Sequence, residues 1–304
     1  MTDTTPQLLN RLRMRQVALL LAIAERGTLR AAAGHLGLSQ PAATKMLHEL
    51  ELTLGQPLFD RVGRGLRPND AGALALGYFK GVRGTMESLN RELQELRRGG
   101  SGRLRVGSIM AASPGVLTEA LLRIKAEYPL LAVKIDVGTS DRLMEGLDEG
   151  SLDLVIGRVP AQAGDDYVFR ALAEEALSVI VAVDHPLAGK RSVDFAALQA
   201  YPWILQPDGS PMRDVIEQEF RSAHTPLPRG LVETASILTT TNLIARSEMV
   251  AVIPQSVAAR YEKHGLLRIL PCRLRAELAS YGTILRRDRP AGLAAARFLE
   301  ILHR

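Results

Sequence analysis

The chain has 304 residues, enough for two or three domains with their own cores, and hydrophobic residues make up 46% of it. It contains no apolar run of about 18 residues, which excludes a transmembrane helix. Its single cysteine, Cys272, excludes a disulfide framework and a thiolate metal site. Cys272 is interpreted as structural, with redox sensing as the alternative. The formal net charge is +5, and residues 1–68 hold nine Lys and Arg against five Asp and Glu. A compact basic segment on a nearly neutral remainder favours binding of a phosphate backbone by one end of the chain.

The amino-terminal segment is basic and leads into a predicted amphipathic helix from about Leu12 to Glu25. Arg11, Arg13 and Arg15 precede an apolar segment that Glu25 interrupts, which is unlike the continuous apolar core of a secretory signal peptide. We therefore expect a cytoplasmic protein with no membrane partner. The apolar face of the helix is expected to pack under the elements that follow and comprises Val17, Leu20, Leu21 and Ala24.

Two helices joined by a tight turn are predicted next. Thr28 caps the first helix, which stops at Gly37, and Ser39 with Pro41 begins the second. Apolar residues of the second helix recur at gaps of four, three and four and form one stripe: Ala43, Leu47, Leu50 and Leu54. The pattern is that of a helix-turn-helix, although an ordinary amphipathic surface helix shows the same stripe.

The polar side of the second helix offers donor-bearing side chains at successive turns, as a helix in a DNA major groove requires. A hairpin wing carrying arginines is predicted from Leu58 to Arg67. The winged domain covers residues 11–68, with the helix-turn-helix at residues 28–47. The candidate DNA-binding residues are Thr28, Arg30, Ser39, Gln40, Pro41, Thr44, Lys45, His48, Arg61, Arg64 and Arg67.

Residues 70–98 contain no proline and are predicted to form one long helix. Its apolar residues alternate at gaps of four and three: Ala75, Phe79, Val82, Met86, Leu89, Leu93 and Leu96. Such a narrow seam is typical of a helix that pairs with another helix, whereas a helix packed on its own domain shows a wider stripe. We expect a dimerisation helix, followed at Gly99–Gly102 by a glycine-rich break that is also a candidate hinge.

After the break, short apolar strands alternate with helices, which predicts parallel sheets covered by helices. The strands are predicted at residues 104–109, 131–137, 152–156, 176–183, 201–205, 249–253 and 267–270. Helices are predicted to begin at Ser113, Ser140, Ser210 and Thr234, and a last one covers residues 293–302. This alternation indicates an α/β fold in two similar sets of elements.

Two stretches resemble the LysR-type bacterial transcription regulators: RAAAGHLGLSQPAATKMLHELE from Arg30 and LGQPLFDRVGRGLRPNDAG from Leu54. The resemblance continues over nearly the whole chain. Asn69 stands where the family usually has threonine, and asparagine caps a helix equally well. Within the family, the stretches WILQPDGSPMR and VETASIL are similar to the subgroup that includes a galactose-binding-protein regulator.

The resemblance implies a winged helix-turn-helix, a long linker helix and a bilobal effector domain that is similar to type 2 periplasmic binding proteins. That domain would cover residues 103–304, with lobe I formed by 103–170 and 271–304 and lobe II by 171–270. The implied partners are double-stranded promoter DNA, a small-molecule effector, RNA polymerase and other copies of the chain in a dimer or a dimer of dimers. No cofactor is expected.

The effector is expected at helix starts that follow the strands, where unpaired amides suit a carboxylate or phosphate. Each serine could instead simply cap its own helix. The walls are expected to be rich in hydroxyls and poor in fixed charge, which suits a small organic acid, aromatic or sugar-derived, with its apolar part against Met110 and Ile237. The candidate residues are Ser108, Met110, Ser113, Thr139, Ser140, Gln206, Ser210, Thr234, Ser236 and Ile237.

Catalysis finds little support in the sequence. The six histidines form no metal-binding motif, and no GxSxG, Walker or GxGxxG motif is present. Arg158 is interpreted as part of a strand end, and Asp148, Glu149 and Asp153 as solvated turn residues. A ligand-responsive transcription regulator is the leading hypothesis. A cytoplasmic small-molecule receptor and an α/β enzyme are the alternatives, and the sequence leaves open the effector, the promoter and the direction of regulation.

Overall fold

The structure is a computed structural model that describes residues 10–63, 65–97, 102–159 and 164–304. The chain divides into two compact units, Met1–Ser88 and Leu89–Arg304. None of the described helices has the length and apolar character needed to cross a membrane. The predicted α/β class with a winged helix-turn-helix, a long helix and a two-lobed domain is confirmed.

The amino-terminal unit contains the three short predicted helices, the predicted wing and the first part of the predicted long helix. The elements are α1 (Met14–Arg26), α2 (Leu29–His35), α3 (Gln40–Leu54), β1 (Phe59–Val62), β2 (Gly65–Pro68) and the long helix α4 (Asp70–Arg97), whose last residues belong to the second unit. Thr28 Oγ1 accepts from Ala31 N at 3.2 Å and Ser39 Oγ accepts from Ala42 N at 3.4 Å, so both predicted caps are confirmed. Gly37 has a φ of +63°, the left-handed conformation that the tight turn between α2 and α3 requires.

The core of this unit lies between α1, the helix-turn-helix and the start of α4. Leu20, Ile23, Leu50 and Leu58 are almost completely buried, and burying a side chain of this size contributes about 1.5–3 kcal/mol. Ala24 is exposed, contrary to the predicted apolar face of α1. The face is broader than predicted because the helix is covered from more than one side, and it comprises Val17, Leu19, Leu20, Leu21, Ala22 and Ile23.

The start of α4 is hydrogen-bonded to the chain that precedes the wing. Asn69 Oδ1 accepts from Gly72 N at 2.9 Å and its Nδ2 donates to Pro57 O at 3.1 Å, so asparagine caps α4 as predicted and also ties it to the preceding chain. A Cβ at Gly72 would lie 2.0 Å from Leu58 O. Only glycine therefore permits this close approach of helix and strand.

The carboxy-terminal unit contains two five-stranded sheets. The first has the order β4-β3-β5-β12-β6, in which β3 (Arg103–Ser108), β4 (Ala132–Val137) and β5 (Leu154–Gly157) are parallel. Its other strands, β6 (Tyr167–Ala173) and β12 (Tyr281–Arg286), are antiparallel to each other, and β12 is also antiparallel to β5. The second sheet has the order β11-β7-β10-β8-β9 and comprises β7 (Leu177–Val181), β8 (Trp203–Leu205), β9 (Val232–Glu233), β10 (Val250–Pro254) and β11 (Arg268–Ile269).

Helices cover both sheets. They are α5 (Thr118–Glu127), α6 (Ser140–Asp148), α7 (Pro211–Ser222), α8 (Ile237–Ile244), α9 (Gln255–Lys263) and α10 (Leu293–Leu302). The first lobe has its core between its sheet, α5 and α10, with Phe298 completely buried. The second lobe contains an aromatic cluster in which the Phe195, Trp203 and Phe220 rings lie 4.9–5.7 Å apart.

The chain crosses between the two sheets twice. The expected boundary at residues 170 and 171 falls inside β6, and the first crossing lies between Ala173 and Leu177. Residues after 270 still pack on the core of the second lobe, among them Cys272, Leu274 and Leu278, so the second crossing precedes β12. Strand β6 was not predicted because it is largely exposed and shows no apolar alternation. Strand β12 was not predicted either, although most of its residues are buried.

Two of the four predicted helix starts, Ser113 and Thr234, differ from expectation. Ser113 starts no α-helix, because a 3-10 turn at Met110–Ala112 and a π turn at Ser113–Leu117 already precede α5. The helix predicted from Thr234 begins at Ile237, and Ser236 caps it, with Ser236 Oγ accepting from Thr239 N at 3.2 Å. Ser140 is the first residue of α6, as predicted, and Ser210 caps α7, with Ser210 Oγ accepting from Arg213 N at 3.2 Å.

Candidate functional sites

The exposed face of α3 carries the residues predicted to contact DNA. Gln40, Pro41, Thr44, Lys45 and His48 are all exposed. The opposite face buries Ala43, Leu47 and Leu50 in the core of the unit. The helix is therefore fixed on one side and presents its polar side chains on the other, the arrangement that base and phosphate contacts in a major groove require.

The other predicted DNA-binding residues lie at the two helix caps, on α2 and on the wing. Thr28 and Ser39 use their hydroxyls as helix caps, and Arg30 is exposed on α2. Arg61 and Arg67 are exposed on the two antiparallel strands of the wing. Arg64 lies outside the described residues. The wing thus adds exposed guanidinium groups that suit phosphate oxygens.

The predicted seam of α4 consists of two parts. Phe79 is buried in the core of the amino-terminal unit, with Ala75 and Val82 packed against it, so this part serves the helix's own domain. Further along, the exposed fractions of the large apolar side chains rise to about half: Met86 47%, Leu89 50% and Leu93 48%. Leu96 and most of the glycine-rich break fall outside the described side chains. The exposed distal part is the surface available for pairing with another helix.

A cavity lies between the two lobes where the chain crosses between them. Four of the ten predicted effector residues line it: Met110, Thr139, Ser140 and Gln206. The other lining residues are Ile109, Ala111, Gly138, Arg158, Glu175, Pro211, Met212, Pro254 and Leu278. The cavity volume is about 20 Å³, room for little more than a water-sized group.

The remaining six predicted residues lie outside this cavity. Ser108 is buried and donates to Ile109 O at 3.0 Å, and Ser113 lies in the π turn. Ser210 is buried as a helix cap. Thr234 Oγ1 accepts from Ser236 N at 3.1 Å, and Ile237 packs against the core of the second lobe.

A buried ion pair that sequence reasoning missed forms part of the cavity wall. Arg158 Nη2 lies 2.6 Å from Glu175 Oε2, with side-chain exposures of 8% and 5%. Arg158 Nε donates to Ala279 O at 2.7 Å, and Arg158 N donates to Ser140 Oγ at 3.1 Å. The expectation that the walls are poor in fixed charge is therefore wrong. No periodicity reveals such a pair, because its members lie at different strand ends and meet only when the sheet forms.

Burial has the largest effect on the pKa of Glu175. Burial raises the pKa of Glu175, while the guanidinium of Arg158 acts in the opposite direction. Glu175 Oε1 is buried and has no hydrogen-bond partner among the described residues. Burial also raises the pKa of the Tyr281 phenol, whose ring lies 5.7 Å from the Arg158 guanidinium carbon. The cavity thus holds a fixed charge pair with one carboxylate oxygen still lacking a donor.

Two acidic residues predicted to be solvated are paired instead. Asp153 Oδ1 lies 2.6 Å from Arg105 Nη2, and Asp153 Oδ2 accepts from Arg105 N at 2.7 Å. Asp148 accepts from Tyr167 Oη at 2.7 Å. Burial, followed by this carboxylate, raises the pKa of Tyr167 to about 12. The partners are distant in sequence, which is why a local pattern did not show them.

The remaining reactive groups have no arrangement suited to chemistry in the described structure. Burial raises the pKa of Cys272 to about 11, so the thiol stays protonated and its nucleophilicity is low. Among residues 10–63, 65–97, 102–159 and 164–304, His, Cys, Asp and Glu side chains form no group of three that could hold a metal ion.

A helix-turn-helix with an exposed polar face, followed by a two-lobed domain with a polar cavity, defines a ligand-responsive DNA-binding regulator. The chain belongs to the LysR family of bacterial transcription regulators. Residues 14–73 match the family model described as "Bacterial regulatory helix-turn-helix protein, lysR family". Residues 97–304 match the model described as "LysR substrate binding domain".

Curated relatives match nearly the full chain. The transcriptional regulator GbpR of Azospirillum brasilense is 32% identical over 96% of this chain and 86% of its own length. The transcriptional regulator PcaQ of Agrobacterium fabrum is 29% identical over 96% of this chain and 94% of its own length. Among solved structures, CbnR, a LysR family transcriptional regulator, has a TM-score of 0.63 at 22% identity and covers 96% of this chain and 98% of its own.

Family membership establishes the class of activity. The chain is a DNA-binding transcriptional regulator with an effector-binding domain, and it is not an enzyme. LysR regulators bind promoter DNA and small-molecule effectors and form oligomers, and CbnR has been solved with its target DNA. The alternative hypotheses of a cytoplasmic small-molecule receptor and of an α/β enzyme are thereby excluded.

Proposed function

We propose that the chain binds promoter DNA as a dimer or a dimer of dimers, with α3 of each copy in a major groove. The observation that carries this proposal is the division of α3 into a buried face and an exposed one. Gln40 and Thr44 lie on the exposed face and would read base edges, whereas Lys45, Arg61 and Arg67 would contact phosphates.

The long helix α4 would join two copies of the chain. Met86, Leu89 and Leu93 supply the apolar surface, and their exposure in the single chain supports a partner helix there. Residues 11–68 would then read DNA, residues 70–98 would dimerise, and residues 103–304 would bind the effector. The protein would act in the cytoplasm, where promoter DNA lies, and would alter transcription through contact with RNA polymerase.

A small-molecule effector, a small organic acid or a sugar-derived compound, would bind in the cavity between the two lobes. Met110, Thr139, Ser140 and Gln206 support this location because they come from both lobes and converge on one space. The space is too small for such a compound as it stands. The lobes would therefore open to admit it and close around it, and that movement would be passed to the DNA-reading domains.

Selection from a genomic fragment library with the purified full chain tests the DNA proposal. We expect a two-fold symmetric site whose half-sites lie roughly 10.5 base pairs, or a multiple of that distance, apart. The affinity for this site should exceed that for unrelated DNA at each salt concentration tested. Binding that shows no sequence preference and disappears uniformly with salt would contradict the proposal.

A further inference from the structure

We infer that the cavity between the lobes selects a neutral polyhydroxy compound such as an aldose, and that Arg158 and Glu175 determine this preference. The inference rests on the effector site proposed above and narrows the class of its ligand. Its basis is the buried pair itself, because both side chains line the cavity and each is more than nine-tenths buried.

The pair leaves one acceptor unused within the cavity wall. Glu175 Oε2 is held by Arg158 Nη2 at 2.6 Å, whereas Glu175 Oε1 is buried without a partner among the described residues. A buried carboxylate oxygen without a donor is unfavourable. When the lobes open to admit a ligand, a ligand group that donates to Oε1 is therefore bound in preference to one that cannot.

The same pair also presents donors. Arg158 uses one contact to Glu175 and one to Ala279 O, and a guanidinium carries more N–H groups than these two contacts engage. Ser140 Oγ accepts a hydrogen bond from the backbone N–H of Arg158, and this bond fixes Arg158 at the end of β5. Donor and acceptor thus lie side by side on a wall that carries no net charge.

Neighbouring hydroxyl groups match this wall, because one can donate to Glu175 Oε1 while the other accepts from Arg158. A carboxylate only accepts hydrogen bonds and would lie against the charge of Glu175. An ammonium group only donates and would lie against Arg158.

The remaining lining residues suit the carbon framework of a sugar. Met110, Met212 and Leu278 supply apolar surface, and Gln206 supplies both a donor and an acceptor. Ligand sites of this kind combine apolar walls with a few placed polar groups. The lining of the cavity therefore suits a compact polyol better than a long acyl chain or a bulky lipid.

Calorimetric titration of the full chain with matched neutral and acidic sugars tests the inference. The probes are D-glucose, D-galactose and L-arabinose, the uronates of the first two, benzoate and putrescine. We expect at least one aldose to bind the wild-type protein about tenfold or more tightly than its uronate, the discrimination expected of a hydrogen bond to a charged group. Preference of the wild-type protein for uronates, benzoate or putrescine, or binding of none of the aldoses, would overturn the inference.

Glu175→Gln is the decisive variant. Its amide oxygen can accept from Arg158, which turns the NH2 group towards the position of Oε1 and replaces the acceptor by a donor. Aldose affinity should fall about tenfold or more, and the preference should reverse in favour of the matching uronate. A variant that merely damaged the fold would weaken the binding of all compounds alike. Retention of the wild-type preference for the aldose would overturn the inference.

Asp153→Asn is the matched control, because it removes the carboxylate of another partly buried arginine pair, with Arg105, that does not line the cavity. It should leave the preference among sugars unchanged. Glu175→Asp, which retracts the acceptor but keeps its charge, covers the case in which Glu175→Gln does not fold. It should weaken aldose binding about tenfold without reversing the preference, and unchanged aldose affinity would contradict the inference.

The outcomes separate the inference from the effector proposal. If uronates bind and change the affinity for the selected DNA, the cavity is an effector site but its ligand class is wrong. If aldoses bind with the expected preference and leave DNA affinity and footprint unchanged, the ligand class is right and the regulatory role of the cavity is wrong.

Discussion

The exposed face of α3 that is proposed to read DNA, here called the DNA-reading face, and the cavity that is proposed to bind the effector use polar residues in opposite ways. On α3 the polar groups are exposed beside a buried apolar stripe, so helical periodicity alone identifies them. In the cavity Arg158 and Glu175 are buried, and they meet only through the topology of the sheets. A surface built on one helix can therefore be predicted from the sequence, whereas a site assembled from several strand ends cannot be predicted in the same detail.

The largest expected effect concerns the exposed distal part of α4. Two copies of the chain can bind one DNA site together only if this part of α4 joins them. Leu89→Glu would place a charge in the helix pair without a partner. We expect monomers by light scattering and a loss of affinity for the selected DNA of about a hundredfold or more, because the two half-sites are no longer bound together. Leu89→Met keeps the apolar surface and should remain dimeric. A fully dimeric Leu89→Glu protein would place the seam elsewhere.

The next effect tests the packing that fixes the DNA-reading face. Gly72→Ala would place a Cβ 2.0 Å from Leu58 O and should destabilise the amino-terminal unit by about 1–3 kcal/mol or more. Gly77→Ala, in the same helix with no atom within 4 Å of the added Cβ, should instead stabilise it by about 0.5–1 kcal/mol. Hydrogen exchange of the α1 amides measures both. Equal effects of the two substitutions would contradict the close contact between α4 and the wing.

Substitutions on the DNA-reading face should divide by role. Gln40→Ala and Thr44→Ala should relax the sequence preference, by about 1–3 kcal/mol for a good base contact. Lys45→Ala and Arg67→Ala should weaken all DNA alike and reduce the slope of affinity against salt by roughly one unit each. Fluorescence anisotropy at several salt concentrations separates the two patterns, and the same loss for all four variants would remove the assignment of roles.

The fold was largely predictable because most elements carry a local signal. The caps at Thr28, Ser39 and Ser210 follow from residue type, and β3, β5 and β10 follow from buried apolar runs. Strand β6 carries no such signal because it is an exposed edge strand that pairs only with the late strand β12. The lobe boundaries were misplaced for the same reason.

The cavity between the lobes was only partly predictable. Thr139, Ser140 and Gln206 line it, and they were predicted to share a site because they follow strands, where ligands settle in α/β sheets. Ser113 was misjudged because a π turn and a 3-10 turn extend the helical segment ahead of α5. The pairing of Arg158 with Glu175 depends on the path of the chain between the lobes. That path cannot be inferred from the spacing of residues in the sequence.

The smallest expected effect is a pH dependence in the carboxy-terminal unit. Burial lowers the pKa of His303 below its usual value of 6.5, and its Nε2 lies 2.8 Å from Thr283 Oγ1. Because the folded state holds the neutral ring, the unfolded state binds the proton more tightly, and the free energy of unfolding should decrease as the pH falls from about 6.5 through the folded pKa. His303→Gln should abolish this slope in hydrogen exchange of α10. A slope that persists in the variant would assign it to other groups.

The central claim, that occupancy of the cavity controls the DNA-reading face, is tested most directly by measuring DNA affinity with and without a bound sugar. The full chain is titrated onto its selected DNA in the presence of an aldose at about a hundred times its dissociation constant. We predict a change in affinity of about fivefold or more, or an altered footprint, with both effects lost in the Glu175→Gln variant. Unchanged affinity and footprint with a sugar that calorimetry shows to be bound would contradict the claim.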